Sequence, residues 1–349
     1  MSRLILLWTA LSLAVPAAAA DRTDNKTTAR AASVSEVEAI HAEMIAFGEW
    51  MIRLDAATAD AITVFRELGP AWNAALSGPP ETMEARFRPT MAQIDGAIAT
   101  ARARLAALDT PTFPRLELPA DTEPARLRDD MQKMIGSMEG ITRTLPGVMT
   151  AIRARNPGAT QQAMVKMLDA TRALFRAQAA MAAAWVATTE ADDPTGQSLQ
   201  FELLFYKSGV RLLESVERTS LGKPDPGFGG ELRALADQID QVVAAGNKLV
   251  DAQRAEFTGV REDLAGEKDP DSVSSRAMAD KVLAMSGLQH EGFTVSQRYA
   301  AQLRRTADAL GTGRVSMTVL APMIDSLRAT RSELDALGMR IAQVMAGTR

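Results

Sequence analysis

Leu127, Met131, Met134, Met138, Ile141, Leu145, Val148 and Ile152 follow one another at alternating spacings of four and three. That rhythm puts all of them on one stripe of an α-helix, whereas a strand, with its period of two, would scatter them over both faces. A stripe this long is hidden from water most simply against other helices. The same rhythm runs through most of the chain. Val37, Ile40, Met44, Phe47, Met51, Leu54, Phe65 and Leu68 keep the 3-4 register, with Ser35 and Glu38 forming an S-x-x-E capping box at its start. Phe87, Met91, Ile94, Ile98, Leu105 and Leu108 form a second stripe, in which Pro89 must lie near the start or kink the helix.

Breakers separate these stripes. Gly69-Pro70 stops the first, and Trp72 sits in a short segment ending at Gly78-Pro79-Pro80. Asp109–Asp121, with Pro111, Pro114 and Pro119, reads as an extended linker. Pro124 suits a first helical turn, Pro146-Gly147 suggests a bend, and Asn156-Pro157-Gly158 closes the third helix. A fourth helix carries Met164, Met167, Leu168, Leu174, Phe175, Met181 and Trp185. Asp192-Asp193-Pro194 marks the midpoint boundary, and the fifth helix opens on Leu199–Tyr206, apolar on nearly every side and so expected to be surrounded. Leu221–Gly230 is a loop rich in Gly and Pro. Three more helices follow, separated by 266–271 and by Gly311-Thr312-Gly313.

No segment alternates as a strand does. The expected fold is all-α: about eight long antiparallel helices in two four-helix-bundle-like halves, residues 35–191 and 192–349. Aromatic residues make up 5% of the chain while methionine reaches 18 residues, so small and flexible side chains must fill the core.

The N-terminus carries an address. Arg3 precedes the apolar run Leu4–Val15, Pro16 breaks it, and Ala17–Ala20 offers a small-residue cleavage site. These are the three parts of a secretory signal peptide over residues 1–20, and the run is shorter than the roughly 20 residues a membrane span needs. Residues 21–34 then read as a disordered tether. The expected location is the periplasm, with no membrane span in the mature chain. The chain has no cysteine, which excludes a lipoprotein anchor, c-type haem attachment, zinc-thiolate sites and a thiol nucleophile. A net charge of −4 argues against nucleic acid and against anionic lipid.

Candidate chemistry is sparse. The two histidines, His41 and His290, form no H-E-x-x-H or His-x-x-x-His pair, and each suits a structural or surface role. Met131, Met134 and Met138 share one helix face and present soft thioethers of the kind that select Cu(I), although all three also fit the apolar seam. Asp129-Asp130, Asp192-Asp193 and Glu262-Asp263 are adjacent in sequence, and neighbours on a helix diverge by about 100°, so none is a shared-proton dyad. Ser208-Gly209 falls inside a helix rather than at a nucleophile elbow. Gly227-Phe228-Gly229-Gly230 precedes a helix without the Lys-Ser/Thr of a P-loop and reads as a flexible loop. Arg172 and Arg176, four apart, suit either an anion clamp or a solvated face. No catalytic, cofactor-binding or metal residue is assigned. The expected function is a non-catalytic binding or scaffold protein with an envelope protein partner or a small ligand. The alternatives are a helical anion-sensing or solute-binding module working with a membrane partner, and a copper carrier.

Overall fold

The computed structural model describes residues 34–346, apart from 117, 188, 190–192, 224 and 311–315. The expected signal peptide, nearly all of the tether, Asp192 and Gly311-Thr312-Gly313 therefore lie outside the described residues. Among the described residues every long element is helical: α1 Val34–Arg66, α2 Leu68–Leu76, α3 Pro80–Ala107, α4 Pro124–Arg153, α5 Pro157–Val186, α6 Pro194–Ser220, α7 Phe228–Asp263, α8 Pro270–Leu310 and α9 Met317–Ala346. The chain divides into two compact units, one ending at Ala184 and the other starting at Trp185.

In the first unit, α1, α3, α4 and α5 pack as antiparallel neighbours. Asp60 of α1 pairs with Arg104 of α3 at 2.9 Å, while Arg53, two turns earlier, meets Asp109 beyond the end of α3. Between α3 and α4, Arg102 pairs with Glu139, and Glu84, near the start of α3, meets Arg153, at the end of α4. Gly140 of α4 leaves room for α5: a Cβ there would stand 3.6 Å from the Ala170 methyl. Seven of the eight α4 seam positions are buried, and Ile152 is half-buried. Ile135, Thr142 and Met149 are buried beside them, because α4 is covered on more than one side.

Three sequence expectations shift. Gly69-Pro70 does not stop α1. The break comes at Glu67, and both residues lie in the first turn of α2, where a proline costs no hydrogen bond. Pro89 and Pro146 sit inside α3 and α4, which run on through them. Asp109–Asp121 is not an extended spacer; with a turn at 114–116 and the start of a 3-10 helix at Ala120–Thr122, it folds back across α1. The Trp50 indole Nε1–H donates to the Asp109 carbonyl at 2.9 Å, Phe113 meets Phe47 edge-on at 5.4 Å, and Arg115 binds Glu43. Trp50 is fully buried, although its position falls beside the α1 seam.

The second unit is an up-down-up-down bundle of α6 to α9. Antiparallel register between α7 and α8 is held from Arg261–Asp280 through Gln253–Ser286 and Asn247–His290 to Arg233–Asp308. Glu291–Arg340 and Arg298–Glu333 do the same between α8 and α9. Its core is aromatic. Phe205 and Phe201 lie 5.1 and 6.4 Å from the Tyr299 ring, as centroids. The Tyr299 hydroxyl, buried on α8, donates to Ser208 Oγ of α6 at 2.5 Å, and Ser208 donates on to the Phe205 carbonyl at 2.7 Å.

The same contacts fix helix ends. Reading along α6 from Ser208–Tyr299, Pro194 stands level with about residue 285 of α8; reading along α9 from Glu291–Arg340, Ala346 reaches the same level. Below that level α7 and α8 run on past Pro194 and past Ala346, the last described residue of α9, for roughly ten to fifteen residues, about 15–22 Å at 1.5 Å per residue. This two-helix arm is closed by Arg276, which donates to the Ala265 and Glu267 carbonyls in the connecting turn.

Two outcomes follow. Gly246 lies directly under the buried Phe293 ring, where a Cβ would fall 2.1 Å from a ring carbon. Gly246→Ala should therefore lower the urea midpoint by an amount equivalent to about 1–3 kcal/mol, outweighing the roughly 1 kcal/mol that alanine gains in helix propensity; a higher midpoint would refute the close contact. Ser208→Ala should cost about 1–3 kcal/mol by orphaning the Tyr299 hydroxyl, and Tyr299→Phe should cost less, since Ser208 keeps Phe205. The reverse order in equilibrium unfolding would show that the hydroxyl has another acceptor.

Candidate functional site

A polar group of the second unit lies where the four-helix section gives way to the arm. Asn247 and Asp251, one turn apart on α7, both face the His290 ring on α8: Nδ1 lies 2.9 Å from Asn247 Oδ1 and Nε2 lies 3.0 Å from Asp251 Oδ1. The next residue, Glu291, forms a two-pronged ion pair with Arg340 of α9, which holds its carboxylate below the usual range. One turn towards the tip, Ser286 Oγ lies 2.8 Å from the Val282 carbonyl oxygen and 3.1 Å from Gln253 Oε1, two acceptors for its one proton. Gln289, buried beside them, keeps its Oε1 without a protein partner.

Helical spacing brings these residues together. His290 and Glu291, about 100° apart, face α7 and α9 respectively, so adjacent residues clasp two different helices. Chemically the group contains an imidazole–carboxylate pair. A general base holds one ring nitrogen with an orienting partner and offers the other to substrate. Here both nitrogens are engaged by α7, so the arrangement works as a clasp between helices.

The other sequence candidates separate. His41 is exposed on α1, in the first unit, while His290 belongs to the second. Met131, Met134 and Met138 are buried in the α4 seam between Leu127 and Ile141. Asp130 is buried and held by Lys133 at 2.9 Å and Arg126 at 3.3 Å, whereas Asp129 is exposed, so the adjacent carboxylates do not act together. Asp193 accepts from the Thr195 N–H at 2.8 Å and caps α6. Glu262 and Asp263 are exposed at the end of α7. Arg172 pairs with Asp169 on its own helix. Among the described residues, no three His, Cys, Asp or Glu side chains converge as a metal would need.

Gly227–Gly230 is corrected. Phe228, Gly229 and Gly230 form the first turn of α7, not a flexible loop. Phe228 is fully buried, and Gly229 lets α7 approach α8 so closely that a Cβ would stand 3.4 Å from the Ala307 carbonyl oxygen. Packing of the phenyl ring orders the segment.

One cluster had no legible signal. Arg211 of α6 forms a bidentate pair with Asp225 at 2.6 and 2.8 Å, also binds Glu231, and lies 4.8 Å over the Phe228 ring. It pins the α6–α7 loop to the bundle. The guanidinium hydrogen bond holds the Asp225 carboxyl below the usual range, against the opposing effect of burial. Burial also works against the Arg211 charge, but the hydrogen bonds it donates to Asp225 and Glu231 raise its pKa. Nothing in the spacing of residues 211, 225 and 231 marks them as partners, because their meeting depends on the turn between the helices.

The chain matches no family model, no curated protein and no solved structure.

A carboxylate with a lowered folded-state pKa adds stability above its unfolded value near 4, and that stability is lost as pH falls through the folded value. Asp225→Asn should therefore lower stability at pH 7 by on the order of 2–3 kcal/mol, less than a fully buried pair because Arg211 keeps some solvent contact. The gap between variant and wild type should narrow as the pH is taken below about 4. Urea melts at both pH values test this; a gap that stays constant would remove the ion pair from the account.

Proposed function

We propose that this chain is an exported, non-catalytic binding or scaffold protein of the periplasm, freed by cleavage after Ala20, and that it engages an envelope protein through the α7–α8 arm. The observation that carries this reading is that α7 and α8 run on past Pro194 at the start of α6 and past the last described residue of α9 while remaining zipped together. A two-helix arm cannot cover both helices on all sides, and it keeps Val273 and Met278 exposed. Helix faces of this kind suit recognition by a partner's helices.

Three further features support the reading. The leader has the grammar of an export signal. Among the described residues no helix is long and apolar enough to cross a membrane. The best-formed polar group, around His290, is spent on holding helices together.

Affinity capture from an envelope extract, with wild type and with a Val273→Asp/Met278→Asp variant in parallel, tests the proposal. Both positions are exposed, so the variant should melt like wild type. Wild type should retain a partner that the variant releases. Equal capture by both would remove the arm from the interface. A melting-temperature rise with small anions or Cu(I), and no captured protein, would favour the ligand-binding alternatives.

A further inference from the structure

Eighteen methionines and no cysteine make the thioether the only sulfur in this chain open to two-electron oxidation. Among the methionines whose exposure is described, Met44, Met91, Met167, Met181 and Met285 are half-buried, and the rest lie at two extremes. Met339 on α9 is 55% exposed, Met278 on α8 37% and Met164 on α5 36%. Met83, Met131, Met134, Met138 and Met149 of the first unit are exposed by 6% or less. The second unit is built differently: Phe201, Phe205, Phe228, Phe293 and Tyr299 are buried in its core among aliphatic side chains, and Met323 is its one buried methionine among the residues whose exposure is described.

We propose that Met339, Met278 and Met164 are oxidation sites of the folded chain, with hydrogen peroxide or hypochlorous acid as the class of reagent. The buried methionines stay reduced until the first unit opens. With peroxide, a sulfur lone pair attacks one oxygen, the O–O bond breaks and an S–O bond forms. The sulfur gives up two electrons, and the second oxygen leaves as water after taking the proton. The reaction needs a clear approach to the sulfur, which the three exposed side chains offer and the seam does not.

The consequences differ as well. A sulfoxide at Met339 keeps its polar S–O group in water, so α9 keeps its packing. A sulfoxide at Met134 would place a strong acceptor in an apolar seam without a donor, and the seam could not close over it. The first unit, with its methionine core, is thus the half that an oxidant damages once it opens, while the aromatic core of the second offers little to attack. This partition follows from burial and holds whether or not the chain is exported.

The full chain, treated with dilute hydrogen peroxide and mapped by peptide mass spectrometry, tests this. Among the methionines whose exposure is described, one oxygen should appear first at Met339, then at Met278 and Met164, with the helical circular dichroism unchanged. Peptides carrying Met131, Met134 and Met138 should gain oxygen only when urea is present, and such chains should not recover full helicity on dilution. Met339→Leu should abolish the fastest phase and leave the other two sites and the melting temperature unchanged. Seam methionines reacting in the native chain as fast as Met339, or a fastest phase that survives Met339→Leu, would overturn the proposal.

Discussion

A helix of thirty residues with one oily stripe has little stability by itself in water; it persists because another helix covers the stripe. In this chain consecutive long helices within each unit cover one another antiparallel, and the remaining features depend on that coverage. The α4 seam illustrates the demand. It presents apolar side chains over more than seven turns, and α1, α3 and α5 share the work of excluding water from it. Long helices also tolerate local faults, such as Pro89, Pro146 and Pro322 within helices, because a few missing backbone hydrogen bonds weigh little against so much buried surface.

Apolar stripes can slide past one another by a turn, and polar contacts are what set their register. In the second unit Arg211, Tyr299, His290 and Arg340 each tie one helix to a neighbour through a directional bond. Surface ion pairs of this sort add little stability individually. Their value lies in choosing one alignment among several of similar hydrophobic content. The Ser208–Tyr299 bond, wholly inside the core, is more costly to misplace because a slipped register would bury the Tyr299 hydroxyl without a partner. The two units also reach closure with different proportions of material: six buried methionines join aliphatic side chains, Phe47, Trp50 and Phe87 in the first, and tilted and edge-on aromatic rings pack among aliphatic side chains in the second.

The fold was readily legible, and the polar sites were legible only in part. The α4 seam, Pro124 at the start of its helix, the enclosed Leu199–Tyr206 segment and the capping Asp193 could all be read locally, because each signal lies within a few turns of its effect. Trp50 was not placed in the α1 seam, since its burial comes from the returning Asp109–Asp121 segment and not from helix periodicity. Phe228 looked like part of a flexible loop because the ring that anchors it meets partners from other helices. His290 was visible as a histidine, but its clasp on Asn247 and Asp251 was not.

What the sequence determined alone was secondary structure and the face each helix must hide, because both follow from spacings of three and four along one chain. It also determined which reactive groups were available, since no cysteine and only two histidines can be rearranged into no richer set. Tertiary structure alone decided how far each helix runs past its neighbours, and so the existence of the α7–α8 arm, because relative length is a property of paired elements. It decided as well which charges meet and which methionines face water: partners forty or more residues apart are joined only when turns and packing fix the distance between them.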